Sequence, residues 1–183
     1  MKNLILIVLT FSIFYSCSSQ LEVVVNGKIQ QLPKPPNTVQ VANDLFMDET
    51  EISNINYREY LSWIDKIHGE AAQNQALPDT TTWYIERDEV QYGEPYVQTY
   101  FRHPAYNNYP VLGLSYEQVV QYSKWRSDRV FEQILILQDE TLLTKLSDEN
   151  YFSIERYFKG EIENVKPDVS IAYPNYRLPT KTE

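Results

Sequence analysis

The stretch YPVLGLSYEQVVQYSKW, Tyr109 to Trp125, sets the reading of the whole chain. Ser115 and Gln118 stand at the spacing of a capping box, in which each side chain accepts a hydrogen bond from the other residue's backbone amide. A helix is therefore expected to open after Ser115 and to run through about Val130. Val119, Tyr122 and Arg126 fall on one side of it, with Trp125 nearby. Phe131 to Leu137 reads either as its continuation or as a strand.

Upstream, Ser53 is the N-cap expected for an earlier helix. Tyr57, Tyr60, Leu61, Ile64 and Ile67 recur on one face of it, and Gly69 follows at the place of a left-handed C-terminal cap. A short strand is expected over Val41 to Asp48. Residues 75–114 lack helical periodicity, so a short strand around Thr82 to Ile85 and long loops held by aromatic rings are expected there. Downstream, a helix over Asp148 to Phe158 should stop at Gly160, and coil leads on to Arg177. Thr180 and Glu183 form a further capping-box pattern with no helix behind it, which points to a fragment, a truncated gene product or a two-piece protein. Together these elements make one α+β domain.

Of the 183 residues, 43% are apolar and 14% aromatic, a composition that can build a core. Fifteen Tyr against ten Pro and five Gly fit aromatic packing among irregular loops. The net charge of −9, with no basic run, excludes nucleic acid as a partner.

Residues 1–16 read as a secretory signal: Lys2 supplies the positive start, and Leu4 to Phe14 form an eleven-residue apolar stretch. That stretch is short of the roughly 20 residues a membrane-spanning helix needs. Cys17, the only cysteine, follows Ser16, an arrangement that resembles a bacterial lipoprotein signal in which the Cys becomes the lipidated N-terminus. Residues 17–40 then read as a lipidated start and Pro-rich tether. Within them Asn26-Gly27 suits a type I′ turn, and the alternative is a hairpin packed on the main domain over 41–183.

Three separated segments resemble one family. "MDETEISNINYREYL" (Met47 to Leu61), the Tyr109 to Trp125 stretch and "YRLPTKTE" (Tyr176 to Glu183) are similar, in order and spacing, to motifs of formylglycine-generating-enzyme-like, or sulfatase-modifying-factor, domains. The motif residues are Asp48, Glu51, Ser53, Asn54, Ser115, Trp125, Arg177 and Thr180. "LPDTTTW", "FRHPAYNNYPV" and "KWRSDR" look most like the gliding-motility and type IX secretion lipoproteins of the Bacteroidota. The resemblance spans Asp44 to Glu183 and covers the N-terminal part of such a domain. It implies a loop-rich, C-type-lectin-like architecture. Departures are Tyr116 for a Trp, Ser123 for a Cys, Lys181 for a Glu, and "PPNTVQVAN" for a glycine-bearing strand.

By the same resemblance, oxidation of a sulfatase Cys to formylglycine needs copper on a downstream Cys pair, and thiolates are the ligands that select Cu(I). Cys17 cannot supply that pair, so no catalytic residue, cofactor or metal is assigned. Another branch uses non-haem iron, yet the only histidines are His68, at a helix end, and His103, before Pro104. The acids Asp44, Asp48, Glu49 and Glu51 lack the ligand spacing of a calcium loop. Instead, Asp48 or Glu51 is expected to be buried against Arg177. Tyr92, Tyr96 and Tyr100 are the rings expected to face a partner. The function expected is therefore non-catalytic: a cell-envelope lipoprotein, held through Cys17 to the membrane, the outer one by resemblance to the subgroup, and acting through contacts with other envelope proteins. The alternatives are an N-terminal fragment of the oxidase and a lectin-like glycan binder.

Overall fold

The computed structural model describes residues 20–25, 28–42, 45–87 and 90–183. Among them are three antiparallel hairpins and five helices, an α+β fold. The first hairpin pairs β1 (Gln20–Val25) with β2 (Lys28–Pro33), and the second pairs β3 (Thr38–Ala42) with β4 (Leu45–Asp48). Helices α1 (Asn54–His68) and α2 (Glu70–Ala76) follow. A third hairpin, β5 (Ile85–Arg87) with β6 (Val90–Tyr92), precedes the short α3 (Glu94–Thr99). The long α4 (Tyr116–Gln138) and the short α5 (Ile154–Lys159) complete the order.

Helix α4 organises the rest. Its 23 residues span about 35 Å, long enough to serve two cores in succession. The Ser115–Gln118 capping box forms as expected, with Ser115 N–H donating to Gln118 Oε1 at 2.8 Å and Gln118 N–H to Ser115 Oγ at 3.2 Å. Gln118 Nε2 also donates to the Leu77 carbonyl at 2.9 Å, joining α4 to the end of α2. Phe131 to Leu137 continues the helix because Phe131, Ile134 and Leu135 fall on its buried side.

The first core lies between α1 and the N-terminal half of α4. Tyr57 is fully buried, and its ring stacks on Tyr122 at 5.5 Å while its hydroxyl donates to the Ala76 carbonyl at 2.9 Å. Tyr60 meets Tyr122 edge-on at 5.5 Å and Trp125 at 5.2 Å. Burial pushes the Tyr60 and Tyr122 hydroxyls up to about 12, which keeps them neutral. The second core gathers Phe131, Ile134 and Leu135 with Leu142, Phe152, Tyr157 and Ile162.

The start of α1 explains the folded loop beside it. Ser53 is the N-cap and accepts from the Asn56 N–H. The two earlier orphan amides, of Asn54 and Ile55, donate to the carbonyls of Tyr109 at 2.9 Å and Asn107 at 3.0 Å. Asn54 is fully buried, and its Nδ2 donates to the carbonyls of Tyr106 at 2.9 Å and Tyr100 at 3.1 Å. A motif Asn thus ties residues 100–109 to the helix start.

Several elements depart from the expectations. Within 17–40, the described residues of β1 and β2 follow the alternative reading, a packed hairpin, and not the tether: Leu32 is 7% exposed within the second core, and Gln30 clips the segment 170–172. Gln30 Nε2 donates to the Ser170 carbonyl at 2.6 Å, and its Oε1 accepts from the Ala172 N–H at 2.9 Å. Val25 pairs with Lys28, while Asn26 and Gly27 themselves lie outside the described residues. The strand expected over Val41 to Asp48 is two strands of a hairpin with a shifted register at Gln40/Ala42. Thr80–Trp83 is a 3-10 turn rather than a strand, because Asp79 Oδ1 accepts from the Thr81 N–H and caps it. The helix expected from Asp148 starts at Ile154, since Asn150 turns inward to donate to the Lys145 carbonyl at 2.8 Å. Gly160 closes it in the left-handed region as expected. Gly69 ends α1 at φ 81 and ψ 170, outside the left-handed helical well, and serves at once as the start of α2.

Leu32→Ala should lower stability by about 2–5 kcal/mol, the range for emptying a buried leucine site. Urea denaturation checks this; a midpoint equal to that of the parent would mean that the hairpin does not contribute to the core.

Candidate functional site

A groove lies along the outer face of α4. Tyr116, Val120, Ser123, Lys124 and Ser127 recur there at helical spacing. The start of α5 forms one wall, and the segment from Tyr173 to Leu178 forms the other. The cavity measures about 530 Å³, and Val120, Ile154, Tyr173 and Leu178 give it an apolar lining. Tyr116 is 69% exposed at its mouth.

The tail segment is held by a clamp that reaches across the fold. Arg126 donates to both carboxylate oxygens of Asp48, at 2.5 and 2.7 Å, and its guanidinium lies 4.1 Å from the centre of the Tyr176 ring. Burial opposes the Arg126 charge, but the hydrogen bonds to Asp48 and the neighbouring groups prevail, so the side chain holds its proton more tightly than usual. The Tyr176 N–H donates to Ser127 Oγ at 2.8 Å, and Ser127 Oγ donates in turn to the Ser123 carbonyl at 3.0 Å.

The opposite wall depends on Asp128, which is 6% exposed. Its Oδ1 accepts from the Ile154 N–H at 2.8 Å, satisfying the first amide of α5 beside the Ser153 cap. Burial raises its pKa above the usual carboxylate value, against the lowering effect of that hydrogen bond. Behind it, Arg129 pairs with Glu132 at 2.7 Å and stacks on Trp63 at 4.9 Å. Lys124 and Glu155 pair across the groove at 3.3 Å. The Ser123 hydroxyl donates to the Val119 carbonyl and the Ser127 hydroxyl to that of Ser123, so neither is set against a general base. The arrangement is suited to holding a ligand, with no activated nucleophile.

The motif residues divide by role. Asp48 meets Arg126 rather than Arg177, which is a correction. Arg177 is exposed and pairs with Glu183 at 2.7 Å, and Glu51 is exposed. The reason is reach: Arg126 projects from α4 toward β4, whereas Arg177 follows the point where the tail leaves the protein surface. Thr180 realises half of its capping pattern, its N–H donating to Glu183 Oε2 at 2.8 Å. The Arg177 guanidinium first, and this hydrogen bond second, hold the Glu183 carboxyl down to about 2. Ser53, Asn54 and Ser115 are structural caps and staples, and Trp125 is half-buried in the first core, where its indole N–H has no partner among the described residues. Tyr96 is 44% exposed, but Tyr100 is buried at 7%, correcting its assignment to a partner surface; the Tyr92 side chain lies outside the described residues. Arg126, Asp128 and Tyr176 lie within the segments "KWRSDR" and "YRLPTKTE" but are not among the motif residues singled out from the sequence. Asp48 and Arg126 are 78 positions apart, and no local pattern links them.

A copper site of the kind the resemblance implies does not fit these residues. The only thiol within the 183 residues is Cys17, outside the described ones, and Cu(I) calls for paired soft sulfur ligands. Among the described residues no group of three His, Cys, Asp or Glu side chains could hold a metal ion. His68 packs against the edges of Trp63 and Tyr151, and His103 Nδ1 accepts from the Ala105 N–H. No helix among the described residues is long and apolar enough to cross a membrane.

Arg126→Ala should destabilise the protein by about 3 kcal/mol, because it strands a part-buried carboxylate. Arg177→Ala and Glu51→Ala should leave the urea midpoint unchanged. Equal losses from Arg126→Ala and Arg177→Ala would show that the clamp is misassigned.

Asp128→Asn keeps an acceptor for Ile154 while removing a charge that burial disfavours. Because burial raises the folded-state pKa of Asp128 above that of the unfolded chain, the parent binds this proton more readily folded than unfolded. It is therefore most stable, relative to the variant, below that pH and loses ground as pH rises through the folded pKa. Thermal melts from pH 3 to 7 should show that trend, and the opposite slope would refute it.

No curated protein and no solved structure matches the chain. The family model for the sulfatase-modifying factor enzyme 1-like domain matches residues 16–183, beginning well upstream of the first recognisable motif and taking in all three hairpins. The chain belongs to that family.

Proposed function

We propose that this protein is a lipid-anchored member of the family, exported to the cell envelope, which works through protein contacts and not through catalysis. The cysteine inventory carries the proposal. The single Cys of the 183 residues stands at the end of a signal-like stretch, where lipidation would consume it, which leaves no other thiol within these residues to bind copper. The groove beside α4 supports a binding role, since it combines apolar lining with serine hydroxyls already committed to backbone carbonyls. The subgroup resemblance of "LPDTTTW", "FRHPAYNNYPV" and "KWRSDR" favours envelope partners in gliding motility or type IX secretion, and an anchor in the outer membrane.

Labelled palmitate should enter the parent protein and not Cys17→Ala, which should leave the membrane fraction. A photo-crosslinking amino acid at Leu178 should give a discrete adduct with an envelope protein, and none when the crosslinker sits at Leu137 on the far end of α4. Purified protein supplied with copper and a Cys-containing sulfatase peptide should yield no aldehyde. Formylglycine in that assay would overturn the non-catalytic reading, and membrane retention of Cys17→Ala would overturn the anchor.

A further inference from the structure

One wall of the groove is fastened by an element from the other end of the chain. From Ala172 to Leu178 the backbone forms no helix or strand, and among the described residues its amides and carbonyls bond to no other backbone group. Side chains of other elements therefore set its position. Tyr176, at the far end, is held by Ser127 and Arg126 of α4. Tyr173, at the near end, packs its ring 5.4 Å from both Phe131 and Phe158, measured between ring centres. Just before Tyr173 the holding group is Gln30 of β2, 140 positions away from Ser170.

The Gln30 amide bonds on both sides of Ile171, donating from Nε2 to the Ser170 carbonyl and accepting at Oε1 from the Ala172 N–H. A planar amide that meets a donor and an acceptor at once fixes both the position and the direction of the backbone beside it, as the peptide group of a neighbouring strand does. Ile171 and Ala172 also pack against the second core, to which Leu32 of the same strand belongs. The hairpin thus reaches the tail through a polar clip and an apolar foothold, and both go if it leaves the body of the protein.

The hairpin is well placed to leave. Among the described residues β1 and β2 form a sheet of their own, joined to no other strand, and a lone two-stranded hairpin is marginal in water. Elements of that kind open at a lower free energy than the whole protein. While the hairpin is docked, Tyr173 stands as a wall of the groove, with Val120 and Ile154 among its other lining residues. Once it is released, the stretch leading into Tyr173 loses its clip, and the next polar hold upstream is the Tyr157 hydroxyl, which accepts from the Asp168 N–H at 2.8 Å.

We infer that docking of the β1–β2 hairpin controls the groove: docked, it sets the Tyr173 to Leu178 wall through Gln30 and Leu32, and released, it lets that wall loosen from α4. This deepens the proposed binding role by naming how the same site is regulated, and its first readout needs no partner. The test is amide hydrogen exchange, followed residue by residue by NMR in the full-length protein in detergent. Gln30→Ala should speed exchange at Ala172, whose bond it removes, and by about tenfold at Tyr176, whose own partner Ser127 is untouched. Leu32→Ala, which keeps the clip and removes the foothold, should also speed exchange at Tyr176. Ile64→Val, a lesion of the first core, should leave Tyr176 as it is. A crosslinker at Leu178 should give less adduct in Gln30→Ala than in the parent, and an undiminished adduct would overturn the inference. Faster exchange at Ala172 alone would also overturn it, since the clip would then act only locally. Equal acceleration of Tyr176 by Ile64→Val would do the same, because Tyr176 would then open with the whole protein. If Leu178 gives no adduct in the parent while Tyr176 responds to Gln30→Ala, the binding role of the groove falls and the control of its wall by the hairpin stands.

Discussion

The structure depends on α4 being one unbroken rod that belongs to two cores. Its first turns complete the aromatic pack over α1, through Tyr122 and Trp125, and its later turns supply Phe131, Ile134 and Leu135 to the cluster around α5. Neither cluster is large. Small cores are marginal on their own, and a helix common to both makes them cooperate, since fraying of either half exposes apolar side chains on the same element. The groove, the Asp48–Arg126 clamp and the Asp128 cap are all arranged along this rod.

What the sequence disclosed was local. Ser53, Ser115 and Gly160 mark helix ends through bonds that span only a few residues, so their spacing carries the signal. The buried face of α1 was legible in the same way, as Tyr57, Tyr60, Leu61 and Ile64. Long-range pairings left no such trace. The fork geometry of Arg suits a carboxylate such as Asp48 or Glu51 without saying which Arg meets it, and the partner of Asp48, Arg126, comes from a helix whose placement only the tertiary packing sets. The prolines of "LPKPP" suggested an extended tether, yet the strand before them is drawn onto the second core by Leu32 and by the two hydrogen bonds of Gln30. Among the Tyr residues, composition could not tell the hub from the rim: Tyr100 is buried and Tyr96 is not.

Family membership fixes the scaffold of this protein and leaves its chemistry to be argued from particular groups. The parts of the motif present here make caps, staples and packed rings, which are properties of the scaffold. Asn54 illustrates this: its amide organises residues 100–109, so its presence in a motif is accounted for by folding without recourse to a reaction. A fold carries such a framework independently of the chemistry placed on it, so function is argued from the groups and surfaces of each member.

The first hairpin has a mechanical consequence. Gln20 pairs with Pro33 at its open end, while Leu32 and Gln30 fasten the second strand to the body of the protein. Tension at the N-terminus would therefore peel β1 away pair by pair, as a zipper opens, instead of shearing the whole ladder at once. Opening it would lengthen the link by several tens of ångströms, at roughly 3.4 Å per residue, before any load reached the helices. If the protein is anchored through Cys17 as proposed, the hairpin would act as a yielding spring between the anchor and the domain.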